Sequence, residues 1–287
     1  MSSARESRYR VLLVDLDGTV VDYARTEGGA LREVHRRFFR GELRAFLRDF
    51  HAANEPLWTA YRERRIDLAE LRVERWARLG AGPAVAAAFE EALGRNTVLF
   101  PEANRALRRL SRYFRLALVT DGIADVQRVK LRRTRIGRFF EHVVIAPEVG
   151  LRKPDGALLH HTLSLLGAKP DAALMVGDSP ASDGGCAREA GVDFCWVDRA
   201  RAARPAGPPG ACDVPVRWTV PDLGAVRRSV TAPDLGAVRR SVTAADLGAA
   251  LRSVTFSAPA AVPAPATVTI SAPAPAGSAA GGPGEAP

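Results

Sequence analysis

Lysine is nearly missing from this 287-residue chain: it occurs only at positions 130, 153 and 169, and the remaining basic side chains, histidine aside, are arginine. A lysine beside a motif is therefore more informative here than in an ordinary composition. Cysteine is also sparse. Cys186, Cys195 and Cys212 form no CxxC pair and, being odd in number, no disulfide framework, so all three read as reduced and structural. No apolar run approaches the roughly 18 residues of a membrane span. The first ten residues, MSSARESRYR, are charged and lead into an apolar run with no apolar signal region or cleavage site. These absences point to a cytoplasmic protein with no membrane partner.

Positive charge, by contrast, is plentiful, with a formal net charge of +9. A basic protein binds nucleic acid or favours anionic substrates. The arginines are scattered over helical segments (Arg36, Arg37, Arg62, Arg64, Arg65, Arg108, Arg109, Arg132, Arg133) and form no long block. They read as solvated helix faces, and no specific nucleic-acid partner is expected. The length suits one large or two modest domains, and the 47% apolar fraction is ordinary for a globular protein.

The most informative stretch is Val11-Leu12-Leu13-Val14-Asp15-Leu16-Asp17-Gly18-Thr19. Four apolar residues in a row, two of them β-branched, have the composition of a strand buried on both faces. The run ends in two carboxylates, and burying an acid costs several kcal/mol (about 2–7 for a neutral polar group, more for a charge) unless it is paired or holds a cation. Asp15 and Asp17 would lie beyond the carboxyl end of a strand, where ligands bind in open α/β sheets. A plain surface turn is the alternative, since Asp-Gly is a common turn dipeptide.

Residues 22–97 read as mostly helical, with Leu31, Val34 and Phe38 on one face, Leu43, Phe46, Leu47 and Phe50 on another, and a break at Gly80-Ala81-Gly82-Pro83. From Pro101 the rhythm changes to alternating helix and strand. Apolar runs at 116–119, 143–145, 172–176 and 192–197 are separated by helical patterns near 102–112, 123–134, from after Asp155 to about Leu166, and 182–190. That alternation predicts a mainly parallel sheet with helices on both faces. A 12-residue unit, PDLGAVRRSVTA, occupies 221–232, recurs at 233–244 and returns with changes from Ala245. The first copy is a candidate closing helix. Beyond Ser257 the chain is rich in Ala, Pro and Gly and lacks a core pattern, so disorder is expected there.

Three strands now end in polar clusters, Asp15/Asp17, Thr120/Asp121 and Asp178, and the rare Lys153 sits in the loop before the last of them. Four clusters in this order are hard to attribute to turns. DLDGT at 15–19, VTDG at 119–122, Lys153 in GLRKPD and VGDSPASDGG at 176–185 resemble the four motifs of the haloacid dehalogenase-like hydrolase superfamily. The resemblance covers roughly residues 9–230. It implies an α/β, Rossmann-like core (9–21 and 98–230) with an inserted all-helical cap (22–97); the repeats (221–256) and the tail expected to be disordered (257–287) are read from the sequence itself. The segments 54–80, 126–155 and CWVD at 195–198 are further similar to the noncanonical pyrimidine 5′-nucleotidases of that superfamily. Asp121 stands where asparagine is frequent, Gly184 replaces a usual aliphatic and is expected to loosen the helix after it, and the repeats have no counterpart.

By that resemblance Asp15 is the nucleophile of phosphomonoester hydrolysis, and Asp17 the general acid and then base. Mg²⁺ is the implied cofactor, held by the Asp15 carboxylate, the Asp17 backbone carbonyl and the Asp178 carboxylate. Thr120, Asp121, Gly122 and Lys153 hold the phosphoryl oxygens. Thr19 supports the site from behind. Asp183 either orients Lys153 or the metal site, or is an ordinary acid at a helix N-terminus. Asn54, Trp58 and Tyr61 are candidates for facing the substrate, with helical core packing as the alternative. An acid at position 17 argues against a haloacid dehalogenase, and the absence of lysine between Thr19 and Thr120 argues against a phosphonatase. A sugar-phosphate phosphatase or phosphomutase remains the alternative to a nucleotidase, and a non-catalytic nucleic-acid binder has no need of these acids. The expected partner is a small phosphorylated metabolite, foremost a nucleoside 5′-monophosphate.

Overall fold

The computed structural model describes residues 7–200 and 214–231. Six strands make one parallel sheet: β1 (Val11–Val14), β2 (Arg115–Thr120), β3 (His142–Ile145), β4 (Ala173–Gly177), β5 (Asp193–Val197) and β6 (Trp218–Val220). Their spatial order is β3-β2-β1-β4-β5-β6. The chain winds outward from β1 to β3 on one side, then crosses back to β4 on the other. β1 is thus central, and all four of its residues are at most 1% exposed. A strand covered on both faces has no use for polar alternation, which is why VLLV reads as an unbroken apolar run.

The two sheet faces feed two cores, divided by the alternation of side chains along each strand. Leu12, Val14, Leu116, Leu118, Leu174 and Val176 pack on one side, against α5 (Ala103–Leu110) and the closing α9 (Val226–Thr231). Val11, Leu13, Ala117, Val119 and Met175 pack on the other, against α7 (Ala157–Leu166) and α8 (Gly185–Glu189). Within the first repeat copy, Leu223, Ala225, Val226 and Val230 are buried in the first of these cores. The later copies, the Ala/Pro/Gly-rich segment and Cys212 lie outside the described residues.

Between β1 and β2 the chain forms four helices, α1 (Tyr23–Phe38), α2 (Leu43–Arg62), α3 (Leu68–Ala77) and α4 (Pro83–Arg95). Asp22 caps α1 by accepting from the Arg25 N–H, and Asp67 caps α3 by accepting from the Glu70 N–H. Pro83 opens α4 at a position where its missing N–H is harmless. These helices have their own core, in which Trp76 is fully buried between Phe50 and Phe89 at ring-centroid distances of 5.1 and 5.2 Å. Two of its members, Ile123 and Val126, lie at the start of α6 (Ala124–Thr134), which follows β2. The two connections that lead into and out of the helical segment are tied to each other by Asp22 N–H to Val98 O (2.9 Å) and Phe100 N–H to Val20 O (3.1 Å).

The nine arginines singled out above are all exposed, as a solvated-face role requires. The helix read near 182–190 is shorter than its pattern suggests. Pro180–Gly184 makes a wide π turn, and α8 follows with five residues. Cys186 and Cys195 are free and buried, and burial pushes each thiol up to about 12. No helix among the described residues is long and apolar enough to cross a membrane. Because Trp76 fills the centre of the helical core, Trp76→Ala is expected to lower stability by about 3–5 kcal/mol, measured by denaturant unfolding.

Candidate active site

The parallel sheet brings the carboxyl ends of β1, β2 and β4 side by side, so residues distant in sequence meet at one edge. The cleft there has a volume of about 380 Å³. On its sheet side lie Asp15, Asp17, Thr120, Lys153, Asp178 and Asp183; Asp121 and Gly122 also line it. The helical segment supplies the opposite side, where Asn54 and Trp58 are joined by Tyr23, Glu27, His51 and Arg75.

Asp15 leaves β1 only 6% exposed, with its backbone N–H donating to Val176 O at 2.9 Å. Its Oδ1 accepts from Lys153 Nζ at 2.6 Å, while Oδ2 is buried with no hydrogen-bond partner. Lys153 Nζ also donates to Asp183 Oδ1 at 2.7 Å, and Asp183 Oδ2 accepts from the Ser179 N–H at 3.1 Å. Asp183 thus touches both Lys153 and the backbone at the start of the turn after β4. Burial pushes the Asp15 carboxyl well above the usual range, with Lys153 opposing and Asp183 and Asp178 adding to the rise. Burial works to lower the Lys153 ammonium, yet Asp15 and Asp183 outweigh it and hold the group well above its ordinary value. Asp178, partly exposed at the rim, is raised to about 7 by burial and by the neighbouring Asp183 carboxylate. Asp121 is raised as well, chiefly by burial.

Two glycines make this crowding possible. Gly18 turns the chain with φ +88°, and a Cβ on it would fall 2.1 Å from Asp178 Oδ2. A Cβ on Gly177 would meet Asp183 Oδ2 at the same 2.1 Å. Both positions need a close backbone approach that a side chain would block.

Asp17 has a different environment. Lys130 Nζ donates to its Oδ1 at 2.7 Å and its Oδ2 at 2.8 Å. Gln127 Nε2 donates to Oδ2 at 2.8 Å and also to Thr120 Oγ1 at 2.7 Å. Both donors come from one face of α6, three residues apart. The sequence reading missed them, although Lys130 is one of only three lysines and the scarcity that singled out Lys153 applied equally to it. It also missed Tyr23, Glu27, His51 and Arg75. Arg75 is 1% exposed, its Nε has no hydrogen-bond partner, and burial lowers its guanidinium from the usual value. Nothing in the sequence separates it from the solvated arginines around it.

Of the three residues expected to face a substrate, Asn54 and Trp58 line the cleft, and Asn54 Oδ1 is buried without a partner. Tyr61 does not. It is 3% exposed, packed with Leu57 and Leu71, and covered by the Arg152 guanidinium 4.5 Å from its ring. Thr19, expected behind the site, is fully buried with no partner on its hydroxyl oxygen.

Fold and site together define a hydrolase: the sequence profile of the haloacid dehalogenase-like hydrolases matches residues 9–191, and the chain belongs to that family. Among its relatives, a phosphoserine phosphatase of Thermus thermophilus is 33% identical over 72% of this chain and 95% of its own length. Pyrimidine 5′-nucleotidase YjjG of Escherichia coli is 32% identical over 62% of this chain and 79% of its own length. The crystal structure of the HAD-hydrolase YfnB of Bacillus subtilis, bound to magnesium, superposes with a TM-score of 0.69 at 23% identity, over 78% of this chain and 99% of that one.

In protein free of divalent cations, the Asp178 carboxyl is expected to titrate near pH 7 rather than near 3.8. A carboxyl raised in the folded state binds more protons folded than unfolded, so its contribution to stability is fullest at low pH. That contribution declines as pH rises from about 4 to about 7. Carbon-13 NMR of the carboxyl resonance and unfolding midpoints across that interval measure the two effects.

Proposed function

We propose that this chain is a Mg²⁺-dependent phosphomonoesterase that works through an aspartyl-phosphate on Asp15 and prefers pyrimidine nucleoside 5′-monophosphates. The observation that carries the reading is the state of Asp15. One of its oxygens is tied to a buried lysine and the other is buried at the cleft with no partner. A buried orphan carboxylate oxygen is costly unless it binds something.

Magnesium suits the donor set. Ligand oxygens of Asp15, Asp178 and Asp183 lie within 4.8 Å of one another, and all are hard donors. Asp183 already accepts on both of its oxygens, from Lys153 and Ser179, so Asp15, Asp178 and the Asp17 backbone carbonyl are the ligands assigned here. The Asp17 carboxylate is engaged by Lys130 and Gln127, which suits a ligand that contributes its carbonyl instead. When bound, the cation neutralises the repulsion between a carboxylate and a phosphate dianion.

The protein's residues then divide the work. An Asp15 oxygen forms a bond to phosphorus as the bond to the leaving oxygen breaks. Lys153, Thr120 and the backbone N–H groups around Asp121 and Gly122 hold the phosphoryl oxygens as charge moves onto them. Asp17 protonates the departing alkoxide, then removes a proton from the water that cleaves the Asp15–phosphorus bond. The helices at 22–97 act as the cap that receives the leaving group.

For a nucleoside as leaving group, Trp58 offers a ring to stack on, and Asn54 Oδ1 and Arg75 Nε offer an acceptor and a donor for a base edge. The relationship to the E. coli nucleotidase supports this choice. Phosphoserine is the second reading. Opposite charges at Glu27 and Arg75 on the cap side of the cleft suit a zwitterionic amino acid, and the T. thermophilus relative carries that name.

Asp15→Asn is expected to abolish phosphate release while leaving the unfolding midpoint at or above that of the unaltered protein; turnover that survives the substitution removes Asp15 from the mechanism. With Mg²⁺ present, kcat/KM across nucleotides, phosphoserine and sugar phosphates is expected to be highest for pyrimidine 5′-monophosphates. A flat profile contradicts the nucleotidase assignment, and a peak at phosphoserine selects the second reading.

A further inference from the structure

Lys130 is a buried ammonium on a chain that almost never uses lysine. At 1% exposure it ranks among the largest fully buried side chains among the described residues. Its carboxylate partner does not need rescuing from burial, because the Asp17 side chain is 24% exposed and within reach of water. The desolvation cost of the pair therefore falls on the lysine, and ion pairs of this kind rarely improve stability over apolar packing. What the pair does provide is orientation. Lys130 Nζ contacts both Asp17 oxygens, which fixes the plane of the carboxylate, and Gln127 Nε2 marks Oδ2 alone. Oδ2 thus accepts two hydrogen bonds and Oδ1 only one, which leaves Oδ1 with room for one more. Gln127 also ties the group to Thr120, a member of the phosphate-holding set, so acid and phosphoryl site are registered by one amide.

We propose that Lys130, with Gln127, is the positioning residue for Asp17, holding a protonated Oδ1 toward the leaving oxygen, which takes that proton in the first step, and then holding the freed carboxylate oxygen toward the water whose proton it accepts in the second. This rests on the reading of Asp17 as acid and base. α6 makes the hold responsive to the helical segment, because Ile123 and Val126 near its start belong to that segment's core. Val129, beside Lys130, packs so closely on α4 that a Cβ on Gly94 would fall 2.4 Å from it.

The test uses leaving groups that differ in their need for a proton. An alkyl ester such as a nucleoside 5′-monophosphate releases an alkoxide and requires Asp17 in the first step. 4-Nitrophenyl phosphate releases a stable phenolate and does not. Lys130→Met is expected to slow single-turnover cleavage of the alkyl ester by about 10–100-fold, with KM changed less than about twofold. The pre-steady-state burst of nitrophenolate is expected to stay near its original rate while steady-state turnover falls, since the second step still needs a base. Lys130→Arg is expected to restore part of the loss, and Lys130→Met in an Asp17→Asn background to add none. Gln127→Met, which keeps the ion pair, is the variant to use if Lys130→Met does not fold, with the same signature at about threefold. Equal slowing of both first steps, additivity with Asp17→Asn, or unaltered alkyl-ester rates overturns the proposal. Full alkyl-ester activity in Asp17→Asn alone overturns the underlying reading of Asp17, and is distinguishable because the lysine variants need not be made to see it.

Discussion

Everything at the sheet edge depends on one buried ammonium between two carboxylates. Lys153 Nζ lies 2.6 Å from Asp15 and 2.7 Å from Asp183, and all three groups are almost wholly excluded from water. In that setting the charges cannot be dispersed by solvent, so the geometry has to satisfy them. Removing that ammonium would leave two buried carboxylates uncompensated, and breaking a buried pair in this way typically costs about 3–5 kcal/mol. The loop carrying Lys153, the end of β1 and the turn after β4 are locked together for that reason. The two glycines that admit the Asp178 and Asp183 carboxylates follow from the same demand for close approach. The arrangement still leaves one valence open, Asp15 Oδ2, and that is where the chemistry is assigned.

The cleft has two sides built on different principles. The sheet side is a rigid set of strand ends with paired charges. The helical side has its own aromatic core and meets the rest through the packing of α6 and through the contacts of Arg64 with Asp155 and of Arg152 with the Tyr61 carbonyl. Such a division suits an enzyme whose phosphoryl chemistry is constant and whose leaving group is chosen elsewhere. It also accounts for relatives with different named substrates on a common framework. α6 touches both sides, with Gln127 and Lys130 reaching Asp17 while Ile123 and Val126 join the helical core.

The strands and their polar ends were legible because central parallel strands leave a plain signature: an unbroken apolar run that stops at an acid. Lys153 was legible through scarcity. The residues that escaped are helical ones, and the reason is physical. On a helix rich in arginine, a buried cation and a solvated one have the same local sequence, and only the packing of the neighbouring element decides which is which. Arg75 and Lys130 are buried because α4 and the end of β1 cover them, neither of which is local. Tyr61 shows the converse: it shares a helix with Asn54 and Trp58, but its ring lies under the Arg152 guanidinium and does not line the cleft. β6 is three residues long, too short to announce itself by pattern.

The central claim is that Asp15 carries the phosphoryl group during turnover. Acid quenching during steady-state hydrolysis with Mg²⁺, followed by peptide mass spectrometry, reads this directly. The account predicts a phosphoryl adduct on the peptide containing Asp15, acid-stable and lost in mild base as an acyl phosphate is. Continued phosphate release with no adduct on that peptide, or with the adduct on another residue, contradicts it.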